Sequence, residues 1–301
     1  MSSKDPVTSD AYDERWLASA WGSKANDRLL SAEDLRPRPR LQRALELARL
    51  TPGQTLLDIA CGRGELPVIA SERGVCAVGI DFSATALDFA QKLKVKRQTR
   101  VPASGAMELV RADACHLPFA PNSFDRITLL DIIEHLVPAQ LEMMLQEVRR
   151  LLKPNGYAVI HTLPNRWVYD ITFPVLHRLY PKFAADPRSE FEKEIHVNEQ
   201  DLPRLHRMLT KCGLIHRLWL EQHMPAQARW NRTNDQYGDQ RDRLYPMLAG
   251  RTGTLLEWLS GTPLKLLLSN DIFGIAWKES PPRYIKLPLA LTERTVCRLW
   301  P

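Results

Sequence analysis

An apolar run, Leu56-Leu57, reaches Asp58 and passes through Ile59-Ala60-Cys61-Gly62-Arg63-Gly64 into Glu65 and a helical pattern. Few folds accommodate that order. It reads as a strand, a tight turn and a helix N-terminus, a place where backbone without side chains lets a ligand approach closely. A second apolar run, from Val75 to Ile80, ends in Asp81, the distance past the first glycine at which an acidic residue holds a nucleotide ribose. A dinucleotide fingerprint requires a third glycine three residues after the second, for close helix–strand packing. Pro67 stands there, which suits the first turn of a helix and argues against a dinucleotide.

The chain then alternates. Strands are expected over 55–60, 75–81, 108–112, 125–131 and 157–163, with helices near 65–73, 83–93 and 138–152, the last ended by Lys153-Pro154-Asn155-Gly156. A helix over 199–212, a strand over 213–220 and a final strand from Asp271 to Trp277 complete the pattern. Such alternation implies a parallel sheet with helices on both faces and ligands at the carboxyl ends of the strands. Residues 1–50 read as a helical cap, with Tyr12, Trp16 and Trp21 and a Leu41-Ala44-Leu45-Ala48 stripe; 51–222 as the core; 223–270 as an insertion; and 271–301 as the last strand and a tail. Two segments exceed a minimal core. Residues 165–195 carry Trp167, Tyr169, Phe173, Leu176, Leu179, Tyr180 and Phe183, and 223–270 carry Trp230, Tyr237, Tyr245 and Leu255 to Leu259. Insertions of this length in compact domains are usually functional, so both are expected to form a lid over the strand ends.

At 301 residues, 44% hydrophobic and 25% charged, the chain has the composition of a globular protein, and no apolar stretch approaches a membrane span. The N-terminus lacks the apolar core of a signal peptide, and cysteines 61, 76, 115, 212 and 297 form no CxxC pair, so a reducing cytoplasm is expected. Net charge is +6, and the densest basic cluster is Lys92, Lys94, Lys96, Arg97 and Arg100. No aromatic residues interleave with it, so it reads as a solvated helix end, and nucleic acid is not the expected partner.

Asp58 to Gly64 resembles the first motif of class I S-adenosylmethionine (SAM)-dependent methyltransferases. Ile80-Asp81-Phe82-Ser83 resembles that family's ribose motif, Arg111-Ala112-Asp113-Ala114 its adenine motif, and Phe124 to Asp131 its fourth strand and active-site end. The likeness covers about residues 37–222 and resumes over 271–279. It implies an α/β, doubly wound, seven-stranded Rossmann-like sheet with a helical N-terminal cap and lid insertions. It also implies SAM contacts from Asp58, Ala60, Cys61, Gly62 and Gly64, from Asp81 and Phe82, from Asp113 and Ala114, and from Leu130 and Asp131. Asp81 would take the ribose hydroxyls and Asp113 the adenine amino group.

Arg40-Leu41-Gln42-Arg43, the Asp131-Ile132-Ile133-Glu134-His135 cluster and His161-Thr162-Leu163-Pro164-Asn165-Arg166 further resemble ubiquinone-biosynthesis O-methyltransferases, as does the insertion ending near His196. In that group the acidic-x-x-Glu-His run is associated with a divalent metal and the insertion with membrane contact. Carried over by position, this implies Asp131, Glu134 and His135 as ligands of magnesium, manganese or zinc, Arg40 as a contact for the SAM carboxylate, and a peripheral membrane surface. The group usually has Glu in place of Asp131 and Leu-Asn-Arg in place of Leu-Pro-Asn-Arg, which weakens transfer of the substrate more than of the reaction. A phenol, with a pKa of about 10, gains from a base or a metal that stabilises phenolate. His135 is the first candidate base, with His196 and His161 behind it. The expected acceptor is small, apolar or aromatic, and methylated at oxygen. Methylation of a sugar or an isoprenoid carbon, and a methyltransferase-like binding protein without turnover, are the competing readings.

Overall fold

A computed structural model describes residues 5–21, 23–31, 35–101, 104–179, 181, 185–186, 188, 190–222, 226, 250–282 and 286–299. Its centre is a seven-stranded sheet: β1 (Thr55–Ile59), β2 (Cys76–Asp81), β3 (Met107–Arg111), β4 (Phe124–Leu130), β5 (Leu152–Thr162), β6 (Ile215–Glu221) and β7 (Asp271–Trp277). The order across the sheet is β3-β2-β1-β4-β5-β7-β6. The first five strands run parallel and β7 runs antiparallel to both β5 and β6. This is the doubly wound α/β architecture expected from the alternation. The order reverses between β1 and β4, and in such sheets the crevice for a ligand opens there, beyond the strand ends.

The apolar runs are fully buried because helices cover both faces. On one face, α6 (Pro138–Leu151) and α9 (Leu202–Lys211) bring Leu141, Met144, Leu145, Val148, Leu205 and Leu209 against Leu57, Ile127, Leu129 and Ile160. On the other, α3 (Pro39–Ala48) sets Ala44, Leu47 and Ala48 against Tyr157, Val159, Trp219 and Phe273. α4 (Glu65–Glu72) and α5 (Ala84–Gln98) cover the β1–β3 side, with Leu66, Ile69 and Ala70 against Leu56 and Ala77. Pro67 lies in the first turn of α4, where its missing N–H costs no helical bond. α5 runs to Gln98, past the expected end at 93, so part of the basic cluster is helical. Arg97 within it is buried and bonds Glu72 at 2.7 Å, so that residue is structural.

The cap contributes a short 3-10 turn (Ser9–Ala11), α1 (Glu14–Trp21) and α2 (Ser23–Ser31). After β5 the first insertion forms a π-helical turn (Val168–Thr172), α7 (Phe173–Leu179) and α8 (Glu190–Ile195). From the second insertion, α10 (Arg251–Leu259) and α11 (Lys265–Leu268) are described, with α11 packed on the π turn, and the tail carries α12 (Leu291–Leu299). Tyr180, Phe183, Trp230, Tyr237 and Tyr245, expected to line a lid, fall outside the described residues, as does the side chain of Trp21.

Candidate active site at the strand ends

β1 leaves the sheet through three left-handed residues, Ala60 (φ 59°), Gly62 (φ 51°) and Gly64 (φ 77°). The turn is pinned to β2 from both sides: Cys61 N–H donates to the Ile80 carbonyl at 2.8 Å and Gly62 N–H to Asp81 Oδ2 at 2.9 Å. Glycine is required at 64 for a second reason, since a Cβ there would meet Ala90 Cβ at 2.7 Å. The other Asp81 oxygen accepts from Ser83 N–H at 2.9 Å. Burial raises the Asp81 carboxyl, while the backbone N–H groups of Ser83, Gly62 and Phe82 pull it back down. Asp58 is buried one strand position before the turn, and Thr128 Oγ1 donates to it at 2.6 Å. Burial pushes Asp58 up to about 7, and the Cys61 thiol rises for the same reason. Asp113 sits at the rim with its side chain 60% exposed, one oxygen accepting from Cys115 N–H at 2.9 Å. Ala114 is half-buried against the α6 and α9 side of the sheet, and Leu130 against the α3 and α4 side.

Two cap contacts reach this turn, and neither was visible in the motif. Arg63, the residue between the glycines, is buried; it pairs with Glu65 at 2.6 Å and donates to Asn26 of α2 at 2.9 Å. Ser83 caps α5 by accepting from Ala86 N–H and donates its own proton to the Tyr12 carbonyl at 2.7 Å. Tyr12 is thereby laid over the strand ends. Its ring packs 5.2 Å from Phe82 and 5.8 Å from His135, and its hydroxyl is 2.9 Å from His135 Nδ1. Burial, then the charges of Glu134 and Asp81, raise that hydroxyl far above the usual phenol range, so it stays protonated. In the sequence Tyr12 signalled only a helical stripe.

The Asp131–His135 cluster divides in two. Asp131 is left-handed (φ 57°), and its carboxylate turns to His161, with Nδ1 to Oδ1 at 2.5 Å, and to Arg40 at 3.4 Å. His161 is buried between two acids, its Nε2 lying 2.9 Å from Asp271 Oδ1. Burial opposes its charge, but Asp131 and then Asp271 raise it to about 9, so it is an imidazolium with both N–H groups engaged. Packing opposes the charge on Asp131 too, yet Arg40 and His161 hold it well below the carboxylate range. Glu134 faces elsewhere. Its Oε2 accepts from Thr162 at 2.7 Å, and burial followed by the Asp131 charge pushes it up to about 7. His135 is lowered to about 3 by burial and by His196, which leaves it neutral and a weak base. Burial alone would lower His196, but Glu199, Glu134 and Glu192 more than offset it and raise the imidazole.

The expected metal trio is therefore not brought together. Among the described residues, one group of three presents ligand atoms all within 4.8 Å of one another, and it is Glu134, His135 and His196. Asp131 is drawn out of it by its left-handed backbone and by the two cations that hold its oxygens. Arg40, expected to reach the SAM carboxylate, is the Asp131 partner in this arrangement. His196 arrives from the end of the insertion, stapled by Asn198 N–H donating to the Glu134 carbonyl at 3.0 Å.

The family model described as "Methyltransferase domain" matches residues 57–160, which span β1 through most of β5. Over those residues the core is similar to methyltransferase domains. An uncharacterized methyltransferase of Synechocystis is 34% identical over 130 residues, 42% of this chain and 57% of that protein. A demethylmenaquinone methyltransferase of Staphylococcus aureus is 29% identical over 175 residues, 54% of this chain and 68% of its own length. The chain thus spans little more than half of the cyanobacterial relative. Among solved structures, the [4+2]-cyclase SpnF superposes with a TM-score of 0.56 at 16% identity, covering 93% of this chain and all of that one. Phosphoethanolamine N-methyltransferase 2 of Haemonchus contortus, in complex with SAM, superposes with a TM-score of 0.53 at 19% identity, covering 91% and 58%. Both likenesses establish the fold. Since one of them is named a cyclase, the methyltransferase core cannot by itself name the reaction.

Proposed function

We propose that the chain is a SAM-dependent methyltransferase acting at an oxygen of a small acceptor with an apolar or aromatic body. The observation that carries this reading is the position of Tyr12, packed on Phe82 at one end and bonded to His135 at the other. One side chain therefore separates the ribose-side turn from a cluster of carboxylate and imidazole. SAM, when bound, supplies an activated methyl group, so the protein's work is alignment and exclusion of water. The glycine turn with Asp81 would hold and orient the donor. The Glu134, His135 and His196 cluster would take the proton, or the developing charge, of the acceptor hydroxyl as the new O–CH3 bond forms and the S–CH3 bond breaks. Tyr169 and Phe173, with rings 5.1 Å apart in the first insertion, suit an aromatic acceptor.

A specific observation favours a second reading, a polyol or sugar acceptor. Asn198 Nδ2, Asn270 Oδ1 and Ser269 Oγ are buried without a hydrogen-bond partner, and buried polar atoms of that kind ask for a polar ligand. The staphylococcal relative's name adds quinone-like compounds to the acceptors worth testing. Isothermal titration with SAM and S-adenosylhomocysteine comes first; no micromolar binding of either would sink the methyl-transfer reading. Methyl-labelled SAM offered to phenols, hydroxyquinones and polyols then decides among acceptors, and labelled polyol alone would replace the aromatic reading.

Peripheral membrane contact belongs to the same proposal. No helix among the described residues is long and apolar enough to cross a membrane. Ile171, Val175 and Leu179 of the first insertion and Leu255, Trp258 and Leu264 of the second are exposed. Cosedimentation with anionic vesicles is the check, and equal recovery with neutral vesicles at high salt counts against it.

A further inference from the structure

We propose that Glu134, His135 and His196 form a binding site for a divalent transition-metal ion, with His196 rather than Asp131 as the third protein ligand. Three observations meet here. The ligand atoms already lie within 4.8 Å of one another, and the His135 and His196 rings are 4.9 Å apart. Two of the candidate ligands are also hydrogen-bonded from behind, as metal ligands are, and the third faces a carboxylate. Thr162 donates to Glu134 Oε2 at 2.7 Å, His135 Nδ1 lies 3.2 Å from the Ile195 carbonyl, and His196 Nδ1 lies 3.8 Å from Glu199 Oε1. Finally, the two chain segments are fastened to each other, through Asn198 N–H on the Glu134 carbonyl, so the donor set does not depend on a loose insertion.

Asp131 fails as a ligand for an electrostatic reason. Arg40 and His161 occupy its two oxygens at 3.4 and 2.5 Å, and their charges repel an approaching cation. The donor set also selects the ion. Two imidazoles and one carboxylate suit zinc, cobalt, nickel, manganese or ferrous iron, whereas magnesium and calcium take oxygen ligands. Three protein ligands leave a coordination position open, where an acceptor hydroxyl would be acidified. In that last role the site rests on the methyl-transfer reading; as a binding site it does not.

The test uses the full chain, stripped of metal and titrated with Co2+, whose visible absorption reports ligand number and type, and with Zn2+ in competition with a chelating dye. One equivalent of each should bind, with magnesium unable to displace them. His196→Gln and Glu134→Gln should each weaken binding at least about tenfold, and Asp131→Asn by less than about threefold. His196→Cys should restore binding and add a thiolate-to-cobalt charge-transfer band, which a variant that merely misfolds cannot do. Equal losses in Asp131→Asn and His196→Gln would overturn the assignment, as would no uptake by the native sequence. So would binding that disappears in His206→Gln, since His206 Nδ1 and His216 Nε2 form another close imidazole pair, 2.8 Å apart on α9 and β6. SAM titrated in parallel separates the two readings. SAM binding without metal binding overturns the metal site alone, and metal binding without SAM overturns methyl transfer alone.

Discussion

The side of the sheet proposed to hold the donor and the side proposed to hold the acceptor are built differently. Around the glycine turn, the carboxylates bond to the motif or to a neighbouring strand, Asp81 to Gly62 and Ser83 and Asp58 to Thr128, while Arg63 and Ser83 reach out, to Asn26 and Tyr12 of the cap. Beyond β4 the polar groups bond across the chain. His161 is held by Asp131 and Asp271, Glu134 by Thr162 and Asn198, and Asn165 by the carbonyls of Leu266 and Ser269. The glycine turn thus depends on the core strands and the cap, whereas the cluster beyond β4 depends on the first insertion and on β7.

Substitutions on the two sides should therefore fail differently. The largest effect is expected at His161→Ala, which leaves the Asp131 and Asp271 carboxylates facing each other across a buried gap. A loss of about 3–5 kcal/mol is expected by urea denaturation, with the acceptor side unfolding first in hydrogen exchange. The native protein should show a milder version of this in alkali. The folded-state pKa of His161 is raised from 6.5 to about 9, so its contribution is complete below pH 6.5 and fades as pH rises through 9. Undiminished stability from pH 7 to 10 would break the comparison.

Gly64→Ala comes next. A Cβ at φ 77° and 2.7 Å from Ala90 Cβ combines left-handed strain with overpacking, for an expected loss of about 2–4 kcal/mol and weaker SAM binding. Asp58→Asn should act in the opposite direction. The folded-state pKa of Asp58 is raised from 3.8 to about 7, so its contribution to stability is present below pH 3.8 and lost as pH rises through 7. The neutral amide should gain roughly 1–2 kcal/mol at pH 8 and nothing below pH 4, at a cost in SAM affinity measured by titration. A loss at pH 8 would mean that the Thr128 hydrogen bond more than offsets the cost of burying the ionised Asp58. The smallest effect is expected at Tyr12→Phe, about 1 kcal/mol for one hydrogen bond, with SAM affinity changed little and acceptor turnover changed more. Equal loss of both would make Tyr12 part of the donor side alone.

Legibility followed the same division. Gly62, Gly64 and Asp81 were legible as one structural unit, because the left-handed glycines follow β1 directly and Gly62 N–H reaches Asp81 at the end of the adjacent strand. The strand order followed from alternation and the family likeness. Asp131, Glu134 and His135 were legible as a cluster, but not their separation, which depends on one left-handed φ and on Arg40 and His161 competing for the same carboxylate. His161 looked like a base in the sequence and is an imidazolium in the fold, because Asp271 stands opposite it on β7, more than a hundred residues away. Tyr12 and Thr162 carried no signal of their place in the site, since a stripe residue and a strand threonine ordinarily serve the core. No one-dimensional pattern encodes a contact of that range.

The fully buried Glu293 of α12 accepts the backbone N–H of Leu220 at 3.1 Å and pairs with Lys265 at the start of α11. A helix of the tail thus serves as the counter-charge of the insertion and as the stopper on the β6 edge. Anyone shortening this chain, or hanging a tag on its end, has a practical boundary: a cut before residue 293 would take away more than a terminus, because it would unmoor the roof of the acceptor side.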